Sequence, residues 1–183
     1  MDATGSSLDA SSRGPAIELR NAQRNIGVET RQLGLFAEIA AALAWRKRRQ
    51  HSDICTVPMI LISLVSDSRM AQLHRRFSGI PGATDVLTFQ HGEIVISAET
   101  AARHGIAFAT STEHELRLYI VHGLLHLCGY DDTAPRARGA MQKVQSRILE
   151  RALLFERTYL HGNFKHGSAN ARRGRTMPGR RVT

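Results

Sequence analysis

Apolar residues recur along this chain with two different periods. Between residues 30 and 49, Leu33, Phe36, Ile39, Ala40 and Leu43 fall three or four apart, which predicts a helix with one buried stripe. Ala16-Ile17-Glu18-Leu19-Arg20-Asn21 alternates instead, as a half-buried strand does. Met59 to Ser66 is a continuous, β-branched apolar run and predicts a buried strand. Ser66 or Asp67 then caps a helix carrying Met70, Leu73 and Phe77, which Gly79, Pro81 and Gly82 break. Asp85–Phe89 and Glu93–Ser97 read as strands joined across His91-Gly92, an antiparallel hairpin.

Helical periodicity returns at 98–104, with Gly105 as the expected stop. Thr112-x-x-Glu115 has the form of a capping box and opens a strongly apolar helix, and Thr133 is placed to cap a last helix over 134–158. No internal repeat is present. Strands and helices are mixed around one hairpin, so the expected class is α+β: a small mixed sheet of about four strands with helices packed against it. The expected domain spans 16–160, between a flexible 1–15 and a basic, disordered tail at 161–183.

Charge changes this picture at one end. The net charge is +9, and Lys165, Arg172, Arg173, Arg175, Arg180 and Arg181 lie in the tail with no acid among them. Such a segment does not fold alone; it either contacts phosphates or simply solubilises the chain. A second basic run, Arg46-Lys47-Arg48-Arg49, closes the first helix, where cations suit the negative end of the helix dipole, the preferred explanation over nucleic-acid contact. No apolar run approaches the ~20 residues of a membrane helix, and the N-terminal stretch has no signal-peptide core. Cys55 and Cys128 are expected to be reduced core thiols, and the protein to be cytoplasmic.

Candidate chemistry concentrates in Val121-His122-Gly123-Leu124-Leu125-His126-Leu127-Cys128-Gly129-Tyr130-Asp131-Asp132. Two histidines four apart share one helix face and can reach one ion. Gly129 is expected to end the helix, and the returning chain offers Asp132 as a third ligand. Two imidazoles and one carboxylate leave an open position, the pattern of a catalytic Zn2+ rather than a closed structural one. The plainer alternative is a pair of core histidines satisfied by backbone carbonyls. The spacing also matches metzincin peptidases, but their general-base Glu would fall at Gly123. Cys128 lies on the other side of the helix from the histidines.

These residues resemble the signature of the YbeY family, the bacterial metal-dependent endoribonucleases of rRNA maturation. Leu73-His74-Arg75-Arg76-Phe77, Thr84-Asp85-Val86-Leu87-Thr88-Phe89 and Gly92-Glu93-Ile94-Val95-Ile96-Ser97 extend the resemblance, in consistent order, over roughly 55–150. It implies a zinc-containing α+β domain acting on single-stranded RNA, in 16S rRNA 3′-end processing and ribosome quality control, with ribosomal particles as partners. Two departures stand out. The family's third ligand is usually His, and here it is Asp132, which shifts metal preference toward harder cations. The family's Arg after the aromatic falls at Ser78, and neither Arg75 nor Arg76 takes its place by spacing.

The expected chemistry is therefore metal-assisted cleavage of RNA, with His122, His126 and Asp132 as ligands and the base open between Asp85 and Asp131. Asp131 equally suits a turn, the favoured role, and Asp85 a strand start; Thr84 and His74 are possible substrate contacts. A non-catalytic ribosome-assembly factor with a structural metal is the alternative, and a metalloprotease a more distant one.

Overall fold

The computed structural model describes residues 14–170, with side chains through 161. Its elements are β1 (Ala16–Asn21), α1 (Thr30–Trp45), a short 3-10 turn at Asp53–Cys55, β2 (Met59–Val65), α2 (Asp67–Ser78), β3 (Val86–Phe89), β4 (Glu93–Ser97), α3 (Ala98–Ala107), α4 (Thr112–Leu127) and α5 (Pro135–Asn170). The sheet order is β1-β2-β4-β3, parallel except for the antiparallel β3–β4 hairpin. The α+β class and the four strands are as expected from the mixture of strands and helices around one hairpin.

Strand alternation decides which helices cover which face. Ile60, Ile62 and Leu64 of β2 and Ile94 and Ile96 of β4 join the main core with α1, α4 and α5. Val65 and Val95 form a second, smaller cluster with Met70 of α2, and Leu73 and Phe89 pack on it. The run at Met59–Val65 is thus fully covered on one face only, and Leu61 and Ser63 remain half-buried. α4 lies at the centre, with nine buried positions and contacts to α1, α3, α5 and the β3–β4 hairpin. Among the described residues no helix is long and apolar enough to cross a membrane.

Several boundaries differ from expectation. α1 ends at Trp45, so the basic run lies in the turn beyond it. Arg48 still serves the helix end, donating to Trp45 O at 2.8 Å while its guanidinium lies 3.7 Å from the Trp45 ring. Gly105 does not stop α3; it sits inside it, where the backbone at Ser111–Thr112 comes within 3.1 Å of the position a Cβ would take. The cap of α4 is Ser111, whose Oγ accepts from His114 N, while Glu115 accepts from Thr110 Oγ1. Capping therefore begins one residue before Thr112. α5 continues to Asn170, past both the expected end at 158 and the expected tail boundary at 161. Residues 1–13 and 171–183 lie outside the described residues, and with them most of the two expected flanking segments.

Candidate metal centre

α4 offers His122 and His126 from one face, one turn apart. The helix ends at Leu127, and Gly129 adopts a φ of +85°, a left-handed conformation that only glycine takes without strain. Gly129 N then bonds His126 O and Tyr130 N bonds Leu125 O, which turns the chain back on itself. That reversal brings Asp132 over the imidazoles. Its Oδ2 lies 3.6 Å from His122 Nε2 and 3.9 Å from His126 Nε2, and the two Nε2 atoms are 3.0 Å apart.

The other nitrogen of each ring is occupied. His122 Nδ1 lies 2.9 Å from Gln145 Oε1, and His126 Nδ1 lies 3.2 Å from Tyr130 O. Both partners accept, so the ring protons sit on Nδ1 and both Nε2 lone pairs face the same point. Two such nitrogens in contact repel unless a cation lies between them. Ligand atoms on a tetrahedral zinc stand roughly 3.4 Å apart, from bond lengths of about 2.0–2.2 Å. The triangle of 3.0, 3.6 and 3.9 Å brackets that value, so the three donors suit a divalent ion. Burial, and then the neighbouring His122, make His126 harder to protonate than a free imidazole, with Asp132 opposing the effect. It is thereby kept in the neutral form that a metal requires.

These side chains line a groove of about 420 Å³ together with Asp53, Thr84, Asp85, Thr88 and Gln90. Among the described residues, three carboxylates and no Lys or Arg lie on its walls. Asp85 Oδ1 accepts from Val86 N at 2.9 Å and from Thr84 Oγ1 at 3.0 Å, while its Oδ2 has no partner among the described residues. Asp131 is placed differently. Both of its oxygens accept from Thr133, and it is not on the groove wall. Those hydrogen bonds hold its carboxyl below the usual range. Thr84 lines the groove, whereas His74 is tied to Gly82 O through Nδ1 at 3.0 Å and stands outside it. Ser78 is the exposed last residue of α2, and Arg75 and Arg76 do not reach the groove either. Cys128 donates to Ala44 O, away from the histidines. Cys55 and Cys128 are both free; Cys128 is buried as expected, but Cys55 is exposed rather than a core thiol.

The glycine between the two histidines has a steric cause. A Cβ at Gly123 would stand 2.7 Å from Ile94 Cγ2 and 3.1 Å from Thr88 Oγ1. At this turn α4 lies directly on the hairpin, and a glutamate there would collide with the sheet. Gln145 and Tyr130 escaped notice in the sequence. Gln145 lies 23 residues from the ring it orients, with no periodicity linking them. Tyr130 acts at this centre through its carbonyl, which no side-chain pattern reveals.

A family model described as endoribonuclease YbeY matches residues 18–153. The chain is similar to endoribonuclease YbeY of Nocardia farcinica, 37% identical over 117 residues, covering 54% of this chain and 64% of the relative. It is also similar to endoribonuclease YbeY of Mycobacterium bovis BCG, 36% identical over 117 residues, covering 54% of this chain and 66% of the relative. The matches thus span just under two-thirds of these relatives' own length. The solution structure of TM1509 from Thermotoga maritima shares the fold, with a TM-score of 0.55 at 23% identity, over 90% of this chain and 99% of that one.

Proposed function

The chain belongs to the YbeY family, and from that premise we propose that it is a metal-dependent endoribonuclease acting on single-stranded RNA. The observation that carries the reading is the convergence of His122, His126 and Asp132, with both Nδ1 atoms tied back, on the wall of an open groove. Zn2+ suits the donor set, and the carboxylate also admits harder divalent ions. An ion held there would supply Lewis acidity to a phosphodiester and lower the pKa of a water beside it. Asp85 is the proposed base, because its Oδ2 is available to take a proton and it shares the groove with the ligands. Asp131, engaged through both oxygens, is assigned to the turn.

Within this reading the substrate is rRNA in ribosomal particles, the step late 16S rRNA 3′-end maturation and ribosome quality control, and the site of action the cytoplasm. A peptidase is disfavoured by the lack of space at Gly123 for the glutamate such enzymes use. The test is cleavage of a single-stranded oligoribonucleotide by metal-loaded wild type and by Asp132→Asn. Metal-dependent cleavage lost in the variant supports the reading. Equal cleavage by both, or turnover of casein without any of RNA, refutes it.

A further inference from the structure

Among the described residues the groove around the histidines carries three acids and no Lys or Arg, so an RNA backbone gains little attraction from these walls beyond what an ion provides. Cations face a different groove. Between the end of α1 and the middle of α5 lies a cavity of about 520 Å³, walled by Arg46, Lys47, Arg147 and Arg151, with Glu150 the one acid on its wall among the described residues. None of these four cations makes an ion pair among the described residues, and all are exposed. Arg48 and Arg49 have duties within the fold, against Trp45 and over the Tyr130 ring. The basic run is therefore divided: two members serve the fold, and two face the groove.

An apolar groove shares Leu43, Arg46 and Arg151 with the first and continues it along α5 to Phe155 and Tyr159. Those rings are 47% and 57% exposed, large apolar surfaces left open among the described residues. On α5, Arg147, Arg151, Phe155 and Tyr159 recur every four residues and form one stripe, cationic and then aromatic. Cations that track a backbone beside flat rings on which bases stack are what an unpaired nucleic-acid strand requires. An acidic peptide would match the charges but would gain little from exposed aromatic faces.

The two grooves are joined by one stretch of chain. Lys47 lines the cationic groove and Asp53 the metal groove, so their Cα atoms are separated by no more than about 20 Å. Tyr130 fastens that stretch to the centre, since its hydroxyl donates to Lys47 O while its own carbonyl holds His126.

We infer that the α1–α5 groove is an RNA-holding surface that binds single-stranded RNA running beyond the scissile region, through phosphate contacts at Arg46, Lys47, Arg147 and Arg151 and base stacking on Phe155 and Tyr159. The inference rests on the nuclease reading for its choice of polymer, and one experiment separates the two. The full chain is titrated into a labelled, cleavage-resistant 2′-O-methyl oligouridine of about 16 nucleotides, by fluorescence anisotropy over a range of salt. Cations in the tail contribute equally to wild type and variants, so the difference isolates the groove. In Arg147→Ser/Arg151→Ser the slope of log affinity against log salt should fall by about 1.4, and affinity near 0.1 M salt by roughly 25-fold. Arg147→Lys/Arg151→Lys should restore the slope, and Phe155→Ser/Tyr159→Ser should weaken binding while leaving it unchanged. Unchanged melting temperatures establish that the folds are intact.

An unchanged slope in the serine variant overturns the inference, even if wild type cleaves RNA, and then the nuclease reading stands alone. The expected slopes without metal-dependent cleavage uphold the groove and remove the nuclease reading. Polyglutamate bound more tightly than oligouridine, with the same sensitivity to the serine substitutions, would also overturn the inference and mark the groove as a site for acidic proteins.

Discussion

Gln145 Oε1 stands 2.9 Å from Nδ1 of His122 and so ties the last helix to the first ligand of the proposed centre. The bond fixes the tautomer that leaves Nε2 free, and it sets the ring's orientation. Partners of this kind typically contribute 10- to 100-fold to metal affinity. Gln145→Leu should therefore weaken zinc binding by about that factor with little change in melting temperature, and Gln145→Glu, which still accepts, should recover most of it. Competition with a chromophoric chelator measures both. Equal affinity in all three proteins would remove Gln145 from the centre.

Metal content is expected to follow the ligand set. Protein purified without added metal should retain close to one divalent ion per chain, and His126→Ala should lose it. Mass spectrometry of the native protein and elemental analysis report this directly. Retention of a full equivalent by His126→Ala would place the ion elsewhere.

The pH dependence of that occupancy has a definite sign. Burial and the neighbouring His122 lower the proton affinity of His126, so at that nitrogen protons compete with the ion below the ordinary imidazole value of about 6.5. Metal release on acidification should have its midpoint under that value. Asp132→Asn removes the one carboxylate among these ligands, which opposes the lowering, and should make release less steep in pH as well as weaken binding. A midpoint above 7 in wild type would contradict the burial seen here.

Gly123→Ala should destabilise the fold even though alanine is the better helix former. Propensity offers about 1 kcal/mol in favour of alanine. Against it stands a methyl group 2.7 Å from Ile94 Cγ2, and overpacking of this kind costs about 1–3 kcal/mol. A net loss of about 1 kcal/mol in urea unfolding is expected, and a smaller loss when the same substitution is made in an Ile94→Ala background. A stabilised Gly123→Ala would show that α4 can lift off the hairpin freely.

Arg117 and Glu156 form a buried pair, Nη2 to Oε1 at 2.9 Å, with side chains only 12% and 6% exposed. Glu156→Ala leaves a buried guanidinium without its counter-charge and should cost about 3–5 kcal/mol. Replacing both residues, Arg117→Met with Glu156→Leu, should cost much less. Denaturant unfolding of the single and double variants tests this, and equal losses would mean that the pair is not desolvated.

The parts of this molecule visible in its sequence were those whose cause is local. Alternation at Ala16–Asn21, glycine after the helix at Gly129 and the four-residue step from His122 to His126 each act within one turn or one strand pair. The misplaced boundaries share a different origin. Gly105 had the form of a helix stop, yet it sits mid-helix where the start of the next helix passes close by. Thr112 had the form of a cap, yet Ser111 one residue earlier meets the free amide. Gln145, the spare oxygen of Asp85 and the division of labour within Arg46–Arg49 depend on which elements meet in space, and no spacing along the chain encodes that.

Asp132 arrives from the link that follows α4, and Gln145 from α5 beyond it. A cation gripped by this set would clasp α5 and the link before it to α4. Stripping it should then loosen more than the chemistry: amides along α5 would exchange with solvent sooner, and heat would release that helix ahead of the sheet.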